Sequence, residues 1–289
     1  MKKFLVFLCI LALVLGGCSA SKQPVDISCM SFNVLCYAPD EDGFADATER
    51  APAVIEFLKE QNCDIMGLQE VCDYEGFHWI PGDRIFDWHD AITSALSDEY
   101  AWRATIDEAE TSFGGGYPTA GLLILYRKDR LELLESGADD FEESSPTGFS
   151  YYQWVKLRDK QNKKVIYVTN THFTPSNIAT AEEIRLSQAG ELADFWENTV
   201  KDKPLLATGD YNCFEYDDPH IRELQAAGKY FPSDVLAPVN EGAFTYDYVY
   251  VNSSVMEVTR HIKMSNEYEL NGDKIKMSDH SPIVAHMTY

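Results

Sequence analysis

The feature that most limits how this chain can fold is a recurrent one: short β-rich apolar runs, repeated along the sequence, with a polar residue where many of them stop. Ile27 to Val34 alternates, with Met30, Phe32 and Val34 on one side and Cys29, Ser31 and Asn33 on the other, the period-two pattern of a strand. Asp64 to Gln69 is a short buried strand that delivers Glu70. Tyr100 to Ile106, Leu122 to Tyr126, Leu131 to Glu135, Tyr151 to Leu157 and Val165 to Thr171 follow, separated by turn signals such as Arg158-Asp159-Lys160. They are expected to form successive antiparallel hairpins. Leu205 to Thr208, Tyr246 to Asn252, Val255 to Ile262 and Ile283 to Met287 complete the strands.

Helical patterns interrupt the series. Thr48 is placed to cap a helix in which Ala53, Val54 or Ile55, Phe57 and Leu58 form an apolar stripe, ended by Gln61-Asn62-Cys63. Pro52 falls in its first turns, where it is tolerated. Ile85 to Leu96 puts Trp88, Ile92 and Leu96 on one face, and Pro219 to Ala226 reads as a further helix. Ala179 to Val200 is a long helix with Ile184, Leu186, Leu192 and Phe195 among its inward residues. Two β-rich halves, each with helices, imply an α/β fold with two sheets packed face to face and helices outside. No linker or repeat divides residues 26–289, so one domain is expected there.

The N-terminus has its own logic. Lys2 and Lys3 precede an apolar run, Phe4 to Leu15, that is too short to span a bilayer and reads as an export signal over residues 1–17. Gly16-Gly17-Cys18 resembles a bacterial lipobox, which implies a lipidated Cys18 as membrane tether, with residues 18–25 as a polar spacer. The expected location is the cell envelope, lipid-anchored and extracytoplasmic. An ordinary secretory signal is the alternative.

Charge narrows the partners. With 24 basic and 47 acidic residues the formal charge is -23, and removal of the leader makes it more negative. Duplex nucleic acid is bound mainly through Lys and Arg contacts to phosphate, and no basic cluster exceeds Arg127-Lys128 or Lys163-Lys164. Non-specific nucleic-acid binding is disfavoured, and a monomer is expected. Beyond Cys9 and Cys18, the five cysteines Cys29, Cys36, Cys63, Cys72 and Cys213 cannot all pair and lack zinc spacing. Buried thiols are expected, with a Cys36 to Cys72 disulfide as an alternative.

The polar residues at the strand ends are Asn33, Glu70, Asn170 with His172, Asp210 with Asn212, Asp247, and Asp279 with His280. Their segments are Ser31-Phe32-Asn33-Val34, Gly67-Leu68-Gln69-Glu70-Val71, Thr169-Asn170-Thr171-His172, Thr208-Gly209-Asp210-Tyr211-Asn212, Tyr246-Asp247-Tyr248-Val249 and Ser278-Asp279-His280-Ser281-Pro282. In this order the sequence resembles the endonuclease/exonuclease/phosphatase superfamily, typified by pancreatic deoxyribonuclease. The resemblance implies a four-layered α/β sandwich with two central mixed sheets. It also implies an Mg²⁺-dependent hydrolase of phosphate esters, with Mn²⁺ as a substitute.

By that resemblance Glu70 is the principal metal ligand, Asn33 orients metal or phosphate, and Asp279 is a second metal-linked carboxylate. Hard oxygen ligands of this kind favour Mg²⁺ or Mn²⁺ over zinc. Extended backbone would put Asp210 and Asn212 on one side, about 6.5 Å apart, so that one activates water and the other holds a phosphoryl oxygen. Asn170 and His172 share a face by the same rule, and His172 stabilises the reacting phosphorus or its leaving oxygen. Asp247, costly to bury alone, is expected to pair with His280. The general base is either Asp210 or the Asp247-His280 pair.

The chain departs from the family where an Asn or Glu-Asn pair often precedes the strand at Leu122, having instead Gly114 to Gly121. Arg127 and Arg185 are expected in surface salt bridges rather than on substrate. The substrate is expected to be a phospholipid head group, a sugar or inositol phosphate, or a nucleotide. A secreted-type nuclease acting on DNA or RNA is the first alternative, and an inactive surface-binding lipoprotein the second.

Overall fold

The computed structural model describes residues 24–36, 44–72, 86–105, 121–143, 151–175, 180–213, 218–226, 230–232 and 246–289. The leader, Cys18 and the run from Gly114 to Ala120 lie outside the described residues.

Strand β1 (Asp26–Asn33) leads through helix α1 (Ala47–Gln61) to β2 (Ile65–Gln69), which lies parallel to it. The α1 stripe falls where the spacing predicts, with Ala53, Val54, Phe57 and Leu58 all buried. Its cap differs from the expected one: Asp46 is the N-cap and accepts the backbone N–H of Thr48. Asp and Thr both suit the position, and the carboxylate two residues earlier reaches the free amides first. Asn62, in the left-handed conformation, closes the helix as its break signal implied. Helix α2 (Trp88–Leu96) buries Trp88, Ile92 and Leu96.

Two antiparallel strands, β3 (Tyr100–Ala104) and β4 (Leu123–Arg127), extend this sheet. The next three, β5 (Leu131–Asp140), β6 (Tyr151–Asp159) and β7 (Val165–His172), form an antiparallel meander in the second sheet. The expected hairpins are therefore present but divided between two sheets, a crossover that periodicity cannot reveal. Helix α3 (Ala181–Phe195) ends in a π turn over Trp196–Val200 and returns to β8 (Leu205–Asp210), parallel to β7. Ile184 and Leu192 are buried, whereas Leu186 is exposed to solvent, against expectation. It lies two positions from Ile184, on the opposite side of a 3.6-residue turn.

After α4 (Pro219–Ala226) come β9 (Tyr230–Pro232), β10 (Asp247–Asn252), β11 (Glu257–Lys263) and β14 (Ile283–Thr288). A small hairpin of β12 (Glu267–Leu270) and β13 (Asp273–Lys276), too polar to stand out in the sequence, precedes β14. The sheet orders are β11-β14-β1-β2-β4-β3 and β5-β6-β7-β8-β10-β9. Each sheet is thus mixed, with one parallel pair at its centre joined by a crossover helix.

Three cores make the layers. Ile27, Ile65, Ile124, Val155, Val168, Leu206 and Val249 fill the space between the sheets. Met30, Phe32, Met66 and Leu68 face α1 and α2, and Tyr167, Leu205, Ala207 and Tyr250 lie in the cluster with α3 and α4. The alternation along each strand assigns one set inward and the other to the helices, so both faces of both sheets are dry. The fold is the four-layered α/β sandwich expected. Near the site the two sheets are in close contact: a Cβ on Gly67 would sit 1.8 Å from Thr208 Oγ1.

Candidate active site

Both parallel pairs end on the same face of the sandwich. In β1 and β2 the register sets Asn33 opposite Gln69, so Glu70 emerges one residue beyond the last pair. In the second sheet His172 of β7 is opposite Asp210 of β8, which is opposite Asp247 of β10. Directly paired residues project on the same side, so register alone puts this imidazole and two carboxylates in a row. His280, carried by the loop before β14, closes the row with Nδ1 2.7 Å from Asp247 Oδ2.

Asp210 Oδ2 is the point on which these groups converge. Asn33 Nδ2 donates to it at 3.0 Å, His172 Nε2 lies 3.3 Å away and His280 Nε2 3.6 Å away. The other Asn33 N–H goes to Glu70 Oε1 at 2.9 Å, while Asn33 Oδ1 accepts from Leu35 N. Both ends of the amide are engaged, so Asn33 ties Glu70 to Asp210 and orients both.

Glu70 has φ +59°, and Leu35 and Asn212, also just past the ends of central strands, have φ +56° and +48°. Left-handed backbone costs about 1–2 kcal/mol for a residue such as Glu or Leu. Hydrogen bonds hold it here: Glu70 Oε2 accepts from both the backbone N–H and the thiol of Cys36, each at 3.0 Å. Burial works to raise the Glu70 carboxyl, but His172, the Asn33 and Cys36 hydrogen bonds and His280 hold it below the usual range. Burial likewise opposes a charged His280, yet Asp247 and Asp210 hold it well above the ordinary imidazole value. Asp247 itself is pushed up to about 6 by burial, against the pull of His280. At neutral pH the pair is imidazolium and carboxylate.

Asp279 stands on the rim, half exposed, with Oδ1 3.9 Å from His280 Nε2. Asn212 is placed differently from the extended-strand expectation. Strand β8 stops at Asp210, the backbone turns left-handed, and Asn212 Nδ2 donates to the carbonyl of Phe173 while its N–H caps Asp210 Oδ1. Asn170 is fully buried, donating to the Leu68 carbonyl and accepting from Gln69 and Thr208, so it fastens one sheet to the other. Arg127 lies in the expected surface ion pair with Asp129. Arg185 does not: it is buried and donates to the Thr174 carbonyl.

Several residues at the site were given no role from the sequence. Arg50, fully buried in α1, donates to the carbonyls of Val34, Leu35, Ala45 and Met277. It binds the loop after β1 to the segment entering Asp279. Ser278 Oγ donates to the Asn33 carbonyl at 2.7 Å, and the Tyr246 ring lies 5.5 Å from that of His280. An arginine on an otherwise apolar helical face was the available clue to the first.

The described cysteines are not disulfide-bonded. Cys36 and Cys72, each three residues past the Asn33–Gln69 register pair, are thiols in hydrogen-bonding contact. The oxygen and nitrogen atoms of Asp210, Asp247 and His280 lie within 4.8 Å of one another, a group that could hold a metal ion only with His280 unprotonated. Asp247 Oδ1, buried and without a hydrogen-bond partner among the described residues, suits such a role. A candidate site thus includes these three as well as the expected Glu70 and Asp279.

A four-layered sandwich with carboxylates and imidazoles gathered where its parallel strands end is the architecture of a class of metal-using phosphate-ester hydrolases. The chain belongs to the endonuclease/exonuclease/phosphatase family, whose sequence model matches residues 30–280. Among solved structures it is similar to a family protein of Bacteroides thetaiotaomicron, with TM-score 0.70 and 17% identity over 92% of this chain and 99% of that one. A family protein of Bacteroides vulgatus gives 0.69 and 20% over 91% and 98%. A mannosyl-6-phosphatase of Bacteroides thetaiotaomicron gives 0.66 and 17% over 91% and 100%. At these identities the likeness is one of fold. No curated protein matches the sequence significantly.

Proposed function

We propose that the chain is an Mg²⁺-dependent phosphoesterase of the cell envelope. The observation that carries the reading is the convergence of His172, His280 and Asn33 on one oxygen of Asp210, beside the buried carboxylate of Glu70. Glu70 and Asp279 would hold the ion, consistent with the one or two carboxylates that Mg²⁺ ordinarily takes from a protein. When bound, it supplies Lewis-acid polarisation of a phosphoryl oxygen and stabilises the charge that develops there.

The chain's own residues do the rest. His280, held charged by Asp247, is a poor base and a good donor, so its Nε2 stabilises the phosphoryl oxygens. Asp210 is left to receive the proton of the attacking water at Oδ2. His172 Nε2, 3.3 Å from that oxygen, orients Asp210. No covalent intermediate is required.

Among the described residues no helix is long and apolar enough to cross a membrane. The tether we propose is the lipid on Cys18, supported by the charged leader, its short apolar run and Gly16-Gly17-Cys18. Substrates of the membrane face or periplasm, such as head groups, sugar phosphates or nucleotides, suit an acidic anchored enzyme. Hydrolysis with Mg²⁺ across DNA, RNA, sphingomyelin, inositol phosphates and simple monoesters tests the reading. Glu70→Ala and His280→Ala should each abolish turnover while leaving the far-ultraviolet circular dichroism unchanged. Near-wild-type turnover in either overturns the site assignment.

A further inference from the structure

Beside His280 lies a cavity of about 60 Å³ lined by Tyr246, Asp247, Lys263, Asp279, His280, Ser281 and Ile283. Lys263 is the last residue of β11, paired in register with Ile283 of β14, and Met264 N donates to the Pro282 carbonyl at 2.8 Å. Strand pairing therefore fixes this lysine against the loop that carries Asp279 and His280. Its side chain is exposed and makes no ion pair or hydrogen bond among the described residues. In a chain of formal charge -23, a lysine lining an anion-processing site, unpaired among the described residues, is a local reversal of the field.

The other charges facing the cavity are already assigned. Asp247 is taken by His280, and Asp279 stands half exposed on the rim, 3.9 Å from His280 Nε2. We infer that Lys263 is a specificity-determining residue that, with the Ser281 hydroxyl, receives the outer oxygens of a terminal phosphate monoester. This inference rests on the phosphoesterase reading and names its substrate class.

Charge favours the monoester over a diester. A monoester at neutral pH is a dianion with three non-bridging oxygens, one more charge than a diester brings. A further cation on the cavity wall is what that difference calls for.

The test compares wild type, Lys263→Met and Lys263→Arg on p-nitrophenyl phosphate and on methyl p-nitrophenyl phosphate, which share a leaving group. K263M should raise KM for the monoester about tenfold with a smaller change in kcat, leave the diester within about twofold, and be rescued by K263R. Equal loss on both substrates, or none on the monoester, overturns the proposal. Calorimetric titration of the same proteins with inorganic phosphate separates the two levels of inference. A wild type that cleaves neither ester overturns the phosphoesterase reading, and weaker phosphate binding by K263M then still supports the Lys263 assignment. Phosphate binding unchanged in K263M overturns Lys263 whatever the wild type cleaves.

Discussion

His280 Nδ1 stands 2.7 Å from Asp247 Oδ2, and the two residues come from a strand and a loop separated by 33 positions. The contact fixes the ring, leaves Nε2 facing Asp210, and gives the imidazole a counter-charge at neutral pH.

Replacing Asp247 with Asn keeps the shape and removes that charge. His280 should then lose its proton at a lower pH than in the wild type, and kcat should fall roughly 100-fold or more. The pH dependence has a definite sign. Asp247 is raised to about 6, so protonation breaks the pair below that value. His280 is also raised, so its proton leaves only well above neutrality. Activity should rise through pH 6 and hold across neutrality, and in D247N the acid limb near 6 should disappear. A pH–rate profile of both proteins, with His280 titrated by NMR, checks it.

Much of this site was legible because it is written at strand ends. The row His172, Asp210 and Asp247 follows once β7, β8 and β10 are neighbours in register, and each of these strands announces itself by its apolar run. The four layers followed from the same runs and the helices between them. Other features were not legible, for physical reasons. The turn that removes Asn212 from the strand is a single left-handed residue, and Asn is one of the few residue types that tolerate either conformation. Arg50 acts on carbonyl oxygens, which no sequence pattern marks. Lys263 becomes notable only through the pairing of β11 with β14, a contact between segments that periodicity treats independently.

Cys36 offers a measurable effect on the metal position. Its thiol and its backbone N–H both donate to Glu70 Oε2, and burial and the neighbouring Cys72 and Glu70 keep the thiol protonated as a donor. Cys36→Ala removes one of the three hydrogen bonds that aim the carboxylate. Mn²⁺ affinity should fall about tenfold, the lower end of what supporting hydrogen bonds around a metal contribute. Cys36→Ser restores a donor and should recover most of it. Isothermal titration of the three proteins distinguishes this from a packing effect, which serine would not repair.

Gly67→Ala tests how tightly the sheets are drawn together under the site. The new Cβ would meet Thr208 Oγ1 at 1.8 Å and Thr208 Cβ at 2.6 Å. Strand β2 is held between β1 and β4 and cannot retreat, so the clash should cost about 3 kcal/mol. Urea denaturation should show a lower midpoint with an unchanged slope. Adding Thr208→Ala removes the nearer atom and should return only part of the loss, because the Thr208 Cβ contact remains.

Arg50 connects stability with the site most directly. Its guanidinium is fully buried, lies 5.4 Å from the Trp88 ring centroid, and serves four carbonyls on three segments that share no hydrogen-bonded strand pair. Burial lowers its proton affinity, though Cys36, Asp279, Glu70 and Asp46 act in the other direction. Arg50→Met fills similar space but leaves those carbonyls without their donor, at a cost of about 3 kcal/mol or more. Arg50→Lys is not conservative, since one ammonium cannot spread its donors as the planar fork does. The loops bearing Leu35 and Asp279 should loosen before the sandwich itself melts. Hydrogen exchange in either variant should therefore accelerate first at Cys36 N and His280 N, with the amides of β7 and β8 protected until global unfolding.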